Sequence, residues 1–155
     1  MLSIFEASAS ALAMKCPRIC ATADGESHFD EVNIPNTARS IFRGIAPFEL
    51  SIHCPSLRLR FTRIPVHVGE VGWHKVPERV LTVWLNGRAA YQTSDGETRH
   101  VPAGGFVLPE DTHGKGRVPV RSKRNKSAFW ITLQRASICH PVGTRSRIAA
   151  AEDAS

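Results

Sequence analysis

Residues 80–93, VLTVWLNGRAAYQT, decide the fold class of this chain. Residues 80–85 form a continuous run of β-branched, aromatic and other apolar side chains, which favours an extended strand. Asn86-Gly87 follows, and Asn-Gly is the strongest two-residue signal for a β-hairpin because both residues tolerate a positive φ angle. Residues 89–93 return from that turn, so the stretch predicts two antiparallel strands.

The same kind of pattern continues on both sides of this hairpin. Residues 57–61, LRLRF, alternate apolar and basic side chains, which is the period of a half-buried strand. Further short strand-like runs are separated by turns rich in Gly, Pro and Asp, at 98–101, 106–109, 117–121 and 128–133. No long segment has the helical period. The pattern therefore predicts an antiparallel all-β domain, either a small β-barrel or a double-sheet jelly roll.

The two ends of the chain lack this pattern. Residues 1–26 and 135–155 are small, polar and without period, which predicts tails on either side of a barrel over residues 27–134. A length of 155 residues suits one domain with its own core. Because no apolar run reaches the roughly 20 residues that span a bilayer, we expect no membrane partner.

Cysteine spacing and charge limit the compartment and the partners. Cys16 and Cys20 have three residues between them rather than the two that are usual in zinc and redox motifs, so we expect free thiols and a cytoplasmic location. The net charge is +6, and six of the 20 basic residues lie between 115 and 126. Residues 122–126, SKRNK, contain no aromatic side chain that could stack on a base. We therefore predict a solvated hairpin tip that exposes Lys123, Arg124 and Lys126, and no nucleic-acid partner.

Several short motifs occur in a fixed order along the middle of the chain: HKVPER at 74–79, LNG at 85–87, SDGE at 94–97, PAG at 102–104 and EDTHGKG at 110–116. This ordered set resembles a group of small single-domain cupins that carry an H-x-x-P-x-R, L-S-G, S-D-G-E, P-G-D and E-D-T-x-G-K-G-H series. The resemblance covers about residues 27–134. It implies a jelly-roll barrel that commonly dimerises, so we expect a homodimer.

The resemblance also implies a metal site, from which this sequence departs. Well-studied cupins bind their metal through an H-x-H pair, a glutamate a few residues on and a later histidine. By spacing to the LNG motif, His74 takes the first position, but Val76, Val80 and Arg117 take the other positions. Valine offers no ligand atom, and a guanidinium repels a cation, so we expect no metal cofactor.

A rearranged metal site remains an alternative. His74, Glu110 and His113 together supply two imidazoles and a carboxylate. Such a set can bind one divalent transition metal.

Alternation along the strands places several residues of this region on one face, and if His74 points into the barrel they all do: His74, Val76, Val80, Thr82 and Trp84. The resulting cavity would be mainly apolar with a few polar groups, which is typical of a small-molecule site. We expect Thr82 and Trp84 to contact the substrate there.

His74 is the first candidate for proton transfer, since an imidazole titrates near neutrality. The alternative is a core histidine that is hydrogen-bonded to a backbone carbonyl. Glu110 or His113 would be its catalytic partner, and Lys115 or Arg117 would bind a carboxylate or enolate. Asp111, in contrast, is interpreted as a turn residue, and Arg79 as an outward-facing residue of a dimer contact or a surface ion pair.

These residues favour a metal-independent isomerase, cyclase or lyase that moves protons on a small carbonyl-bearing metabolite, polyketide-like or aromatic. A non-catalytic ligand-binding barrel explains the loss of the metal ligands equally well. A metalloenzyme with the rearranged ligand set is a third possibility.

Overall fold

The fold is seen in a computed structural model, which describes residues 13–66, 71–120 and 123–134. These residues contain no helix and form ten strands, so the predicted all-β class is confirmed for the part of the chain that is described. The strands are β1 (Ala13–Ala21), β2 (Ser27–Arg39), β3 (Phe48–Ser51), β4 (Ser56–Ile64), β5 (Val80–Asn86), β6 (Ala89–Thr93), β7 (Thr98–Val101), β8 (Phe106–Pro109), β9 (Arg117–Pro119) and β10 (Lys126–Leu133).

The strands form a large and a small sheet. The large sheet has seven strands in the order β3-β2-β1-β8-β5-β10-β4, and the small sheet has three in the order β7-β6-β9. Neighbouring strands are antiparallel except β1 and β8, which pair in parallel. Among the described residues β3 and β4 do not pair, so the large sheet stays open. The architecture is an all-β double sheet of the jelly-roll kind.

Two clusters of buried apolar side chains lie on opposite faces of the large sheet. The first lies between the sheets, because it takes Ile19 and Val107 from the large sheet and Tyr91 from the small sheet. The second contains Leu108, which follows Val107 on β8 and therefore points to the other face. The described part of the chain holds no helix that is long and apolar enough to cross a membrane.

The predicted hairpin at Asn86-Gly87 is wrong in one respect, because β5 and β6 do not pair. β5 pairs with β8 and β10, whereas β6 pairs with β7 and β9. The turn therefore carries the chain from the large sheet to the small sheet. Gly87 has a φ of 75° and packs against the start of β10, where an added Cβ would lie 2.9 Å from the Cβ of Lys126. Pairing with distant strands outweighs the local turn signal.

The predicted N-terminal boundary is also wrong. Residues 13–21 are not part of a tail but form β1, which pairs with β2 from Ala13↔Pro35 to Ala21↔Ser27. The buried residues of β1, Cys16 and Ile19, are three positions apart, so they do not give the simple alternation by which strands are recognised. Residues 1–12 and the predicted tail at 135–155 lie outside the described residues.

Gly116 is predicted to be indispensable to the packing of the turn before β9. It has a φ of +72°, and an added Cβ would lie 2.2 Å from the carbonyl oxygen of His74. Gly96 has a φ of +93° with no atom near its Cβ position, so Gly96→Ala is a matched control that tests backbone strain alone. We expect Gly96→Ala to lower the free energy of unfolding by about 1–2 kcal/mol.

Gly116→Ala should cost about 1–3 kcal/mol more than the control, because the neighbouring backbone must also move. Urea unfolding followed by tryptophan fluorescence measures both losses. Equal losses in the two variants would contradict the close approach of Gly116 to His74.

Candidate functional site

A cavity of about 570 Å³ lies between the two sheets. Its walls come from β4, β5 and β10 of the large sheet, from β6 and β9 of the small sheet, and from the segment at 74–78 that precedes β5. This volume lies in the range of small-molecule sites. The cavity is therefore the candidate functional site.

The residues that were predicted to share one face do share it. All of them line the cavity: His74, Val76, Val80, Thr82 and Trp84. Their side chains are brought together by alternation along β5 and by the bridge that joins His74 to Arg117. Thr82 is 5% exposed and Trp84 is 3% exposed, so both belong to the floor of the cavity. Their contact with a substrate stays a prediction.

His74 is half-buried, and its ring is oriented by the backbone. Its Nδ1 lies 2.8 Å from the carbonyl oxygen of Gly72. A carbonyl oxygen only accepts a hydrogen bond, so Nδ1 carries the proton in the neutral ring and Nε2 carries the lone pair. The backbone of His74 is held by two hydrogen bonds of 2.9 Å to the backbone of Arg117. His74 can therefore accept a proton through Nε2.

Arg117 forms a buried ion pair with Asp111. Its Nη1 lies 3.0 Å from each carboxylate oxygen, and the two residues are 7% and 0% exposed. Burial raises the pKa of Asp111, whereas the charge of Arg117 opposes that rise. The interpretation of Asp111 as a turn residue is thus wrong, because its side chain is the counter-ion of Arg117. Sequence reasoning missed this pair because the partners are recognisable only once both are known to point inward.

Three buried groups of the cavity wall have the chemistry of hydrogen-bond donors. Among the described residues, Nε of Arg117 is buried without a hydrogen-bond partner, whereas the indole N–H of Trp84 interacts with the phenol of Tyr91. Burial raises the pKa of Tyr91 to about 12, so its phenol stays protonated near neutral pH. A buried donor without an acceptor costs about 1–3 kcal/mol.

Lys126 is the clearest error in the sequence predictions. It was expected in a solvated tip, but it is 8% exposed and lines the cavity, with Nζ 5.4 Å from the centre of the Trp84 ring. Lys123 and Arg124 are exposed, as predicted. Burial lowers the pKa of Lys126. Counting back in steps of two from the inward-facing Ala128 would have placed Lys126 on the inner face.

Glu110, His113 and Lys115 lie outside the cavity, contrary to the site that the sequence predicted. Because Asp111 points inward, its neighbour Glu110 points away and pairs with Arg79 and, at 3.5 Å, with Arg18. Arg79 thus forms an ion pair outside the cavity, but the pair is largely buried rather than at the surface, since its side chains are 22% and 11% exposed. The exposed His113 places Nε2 3.1 Å from the backbone oxygen of Thr22, and Lys115 pairs with Glu26.

The residues present do not fit a metal at the position where cupins hold one. Val76 and Val80 line the cavity without a ligand atom, and Arg117 brings a guanidinium. The rearranged set is not assembled either, because Glu110 and His113 contact other parts of the chain. Across residues 13–66, 71–120 and 123–134, no three His, Cys, Asp or Glu side chains are grouped as metal ligands.

No protein-family model matches this chain, and no curated protein matches it. Among solved structures, the chain is similar to the crystal structure of protein NMB1881 from Neisseria meningitidis. The two are 20% identical with a TM-score of 0.39, over 54% of this chain and 84% of that protein. A likeness at this level carries no conclusion about function.

The buried phenol gives a prediction that the sequence makes simple to test, since Tyr91 is the single tyrosine of the chain. In the folded protein, phenolate absorbance near 295 nm should appear around pH 12. In the urea-unfolded chain the same absorbance should appear at about pH 10. The folded-state pKa is raised, so the stability that it contributes is complete below about pH 10 and is lost as the pH rises through about 12. Full ionisation near pH 10 with native tryptophan fluorescence would contradict a buried Tyr91.

Proposed function

We propose that the protein is a metal-independent enzyme, an isomerase, cyclase or lyase, that moves a proton on a small carbonyl-bearing molecule in the cavity between its sheets. The observation that carries the proposal is the coincidence of His74, aromatic walls and the buried cation of Arg117 in one cavity. The aromatic walls come from Trp84 and Trp130, which suit a planar or aromatic carbon skeleton.

The proposed chemistry gives each of these groups one role. Nε2 of His74 accepts a proton from the carbon next to the carbonyl, while the electron pair of that C–H bond moves towards the carbonyl oxygen. The positive charge of Arg117, which lines the same cavity, stabilises the negative charge that develops on the carbonyl oxygen. The protonated His74 then returns the proton to another atom of the same molecule. Apolar walls strengthen these interactions because they exclude water.

The set of residues differs from the one that the sequence suggested. His74, Thr82, Trp84 and Arg117 keep their proposed roles because they line the cavity. Glu110, His113 and Lys115 have no role in this mechanism, since each contacts a partner elsewhere on the molecule. The cavity is lined by Arg117, whose charge Asp111 partly balances, by Arg58, which pairs with Glu78, and by Arg60.

A non-catalytic ligand-binding barrel is the second candidate. The observation that favours it is the mainly apolar lining, in which His74 is the single histidine among the described residues of the cavity. A protein that only binds needs no proton acceptor. The two candidates therefore predict different results when the His74 imidazole is removed: the enzyme loses proton transfer, whereas the ligand-binding barrel has no such activity to lose.

His74→Gln is the variant that tests the proposal, because glutamine keeps a hydrogen-bonding group but does not titrate. A thermal-shift screen of small ketones, aldehydes and keto acids identifies a bound compound through the stabilisation that binding causes. Exchange of its α-hydrogen in D2O, followed by NMR, then measures proton transfer directly. We expect His74→Gln to slow exchange by about 10²–10⁴-fold while the compound still binds.

His100 is exposed on β7 and does not line the cavity, so His100→Gln is the matched control and should exchange at the wild-type rate. Exchange should also survive prolonged dialysis against EDTA. Wild-type exchange by His74→Gln would remove His74 from the mechanism. Binding without exchange by the wild type would favour the ligand-binding barrel.

We also propose that two copies associate and that the protein acts in the cytoplasm without a nucleic-acid partner. Apolar side chains on the large sheet support association, since Leu57 is 55%, Phe61 73% and Leu85 49% exposed. Light scattering on a sizing column should give twice the chain mass of 17.0 kDa. A mass of one chain over the micromolar range would contradict the dimer.

A further inference from the structure

Lys126 is a buried lysine whose amine faces the cavity without a counter-charge. No carboxylate of the described residues lies within ion-pair distance of its Nζ, and the aromatic face of Trp84 is its neighbour at 5.4 Å. Other lysines contrast with it, because Lys15 pairs with Glu31 and Lys115 pairs with Glu26 at the surface. The mechanism proposed above leaves the amine of Lys126 without a role.

The strand fixes the position of this amine. Lys126 begins β10 and pairs with Ile64 on β4, two residues before Ala128 and four before Trp130, so all three point to the inner face. The next residue is held by a 2.8 Å hydrogen bond from its backbone N–H to Oδ1 of Asn86. The amine is therefore presented by a paired strand and not by the exposed tip that precedes it.

This environment disfavours the ammonium form. Removing an ammonium from water is costly unless a carboxylate compensates, and burial lowers the pKa of Lys126 accordingly. The face of Trp84 offsets a part of that cost through a cation–π contact. The unprotonated amine is the form that attacks carbonyl carbons. At the cavity wall, neither bulk water nor a carboxylate stabilises the ammonium form of Lys126, so its neutral amine is available as a nucleophile.

We propose that Lys126 forms an imine with the carbonyl group of the molecule that this cavity binds, which makes the ligand a ketone or aldehyde with a planar or aromatic body. Nζ attacks the carbonyl carbon, the two protons of the neutral amine pass to the oxygen, which leaves as water, and a C=N bond replaces the C=O bond. Water is the sole by-product, and no oxidant or reductant is needed. The inference rests on the proposed function and deepens it, since a protonated imine acidifies the adjacent C–H more than a carbonyl does. His74 keeps its role as proton acceptor, but the electron pair of the C–H bond then moves to the imine nitrogen instead of to a carbonyl oxygen.

Reductive trapping tests the imine directly. The wild-type protein is incubated near pH 7 with phenylpyruvate or benzaldehyde and sodium cyanoborohydride, and peptide mass spectrometry locates the stable amine adduct. Lys123 is exposed in the same polypeptide and serves as an internal reference. Burial lowers the pKa of Lys126 and so leaves more of its amine unprotonated, so Lys126 should be labelled faster than Lys123.

Two variants keep the result interpretable. Lys126→Arg retains the positive charge but forms no imine, and Lys126→Met removes the buried charge, so it should fold with unchanged or greater stability. Both should lose the fast adduct, whereas Lys123→Arg should keep it. Equal labelling of Lys123 and Lys126, or fast labelling that survives in Lys126→Met, would overturn the proposal.

The outcomes also separate this inference from the proposed function. Exchange of the α-hydrogen that depends on His74 but occurs without a Lys126 adduct would defeat the imine and leave the proton-transfer enzyme standing. A Lys126 adduct in a protein that never exchanges an α-hydrogen would support the imine and defeat the enzyme.

Discussion

The buried ion pair between Arg117 and Asp111 connects the parts of the molecule that surround the cavity. Arg117 opens β9 of the small sheet, its guanidinium contacts Asp111 after β8 of the large sheet, and its backbone bridges to His74. The pair is almost inaccessible to water. Removing one partner of such a pair typically costs about 3–5 kcal/mol because the other charge is left buried alone. The position of His74 at the cavity wall therefore depends on this interaction.

The same interaction sets the electrostatics of the cavity. Asp111 binds Nη1 of Arg117, while Nε has no partner among the described atoms. Tyr91 lies under the guanidinium, with its ring centre 5.7 Å away, and its phenol stays neutral because burial raises its pKa. The wall thus combines a partly balanced cation with neutral donors. That combination suits an oxygen that gains negative charge during a reaction better than a ligand that is already a strong anion.

Lys126 adds a second kind of chemistry at another part of the same wall. Its amine lies over the indole ring of Trp84. Natural proteins seldom bury a lysine without a carboxylate, because a methionine or leucine of similar volume would be cheaper to bury. The burial of Lys126 at the cavity wall is therefore better explained by the reactivity of its amine than by a contribution to stability.

The sequence by itself determined the fold class and one face of the cavity, because both depend on short-range patterns. Turn residues and alternation gave the strands from 56 to 133, and alternation through β5 placed Thr82 and Trp84 on one side. The tertiary structure alone decided that β1 belongs to the sheet, that β5 and β6 separate, and that Asp111 rather than Glu110 points inward. Each of these depends on contacts between residues distant in the chain, whose energies exceed the local preferences of a turn or a charged side chain. Lys126 is an intermediate case. The alternation along β10 is a local pattern that places Lys126 on the inner face of the strand, but only the packing of β10 against Trp84 shows that a charged side chain is buried there.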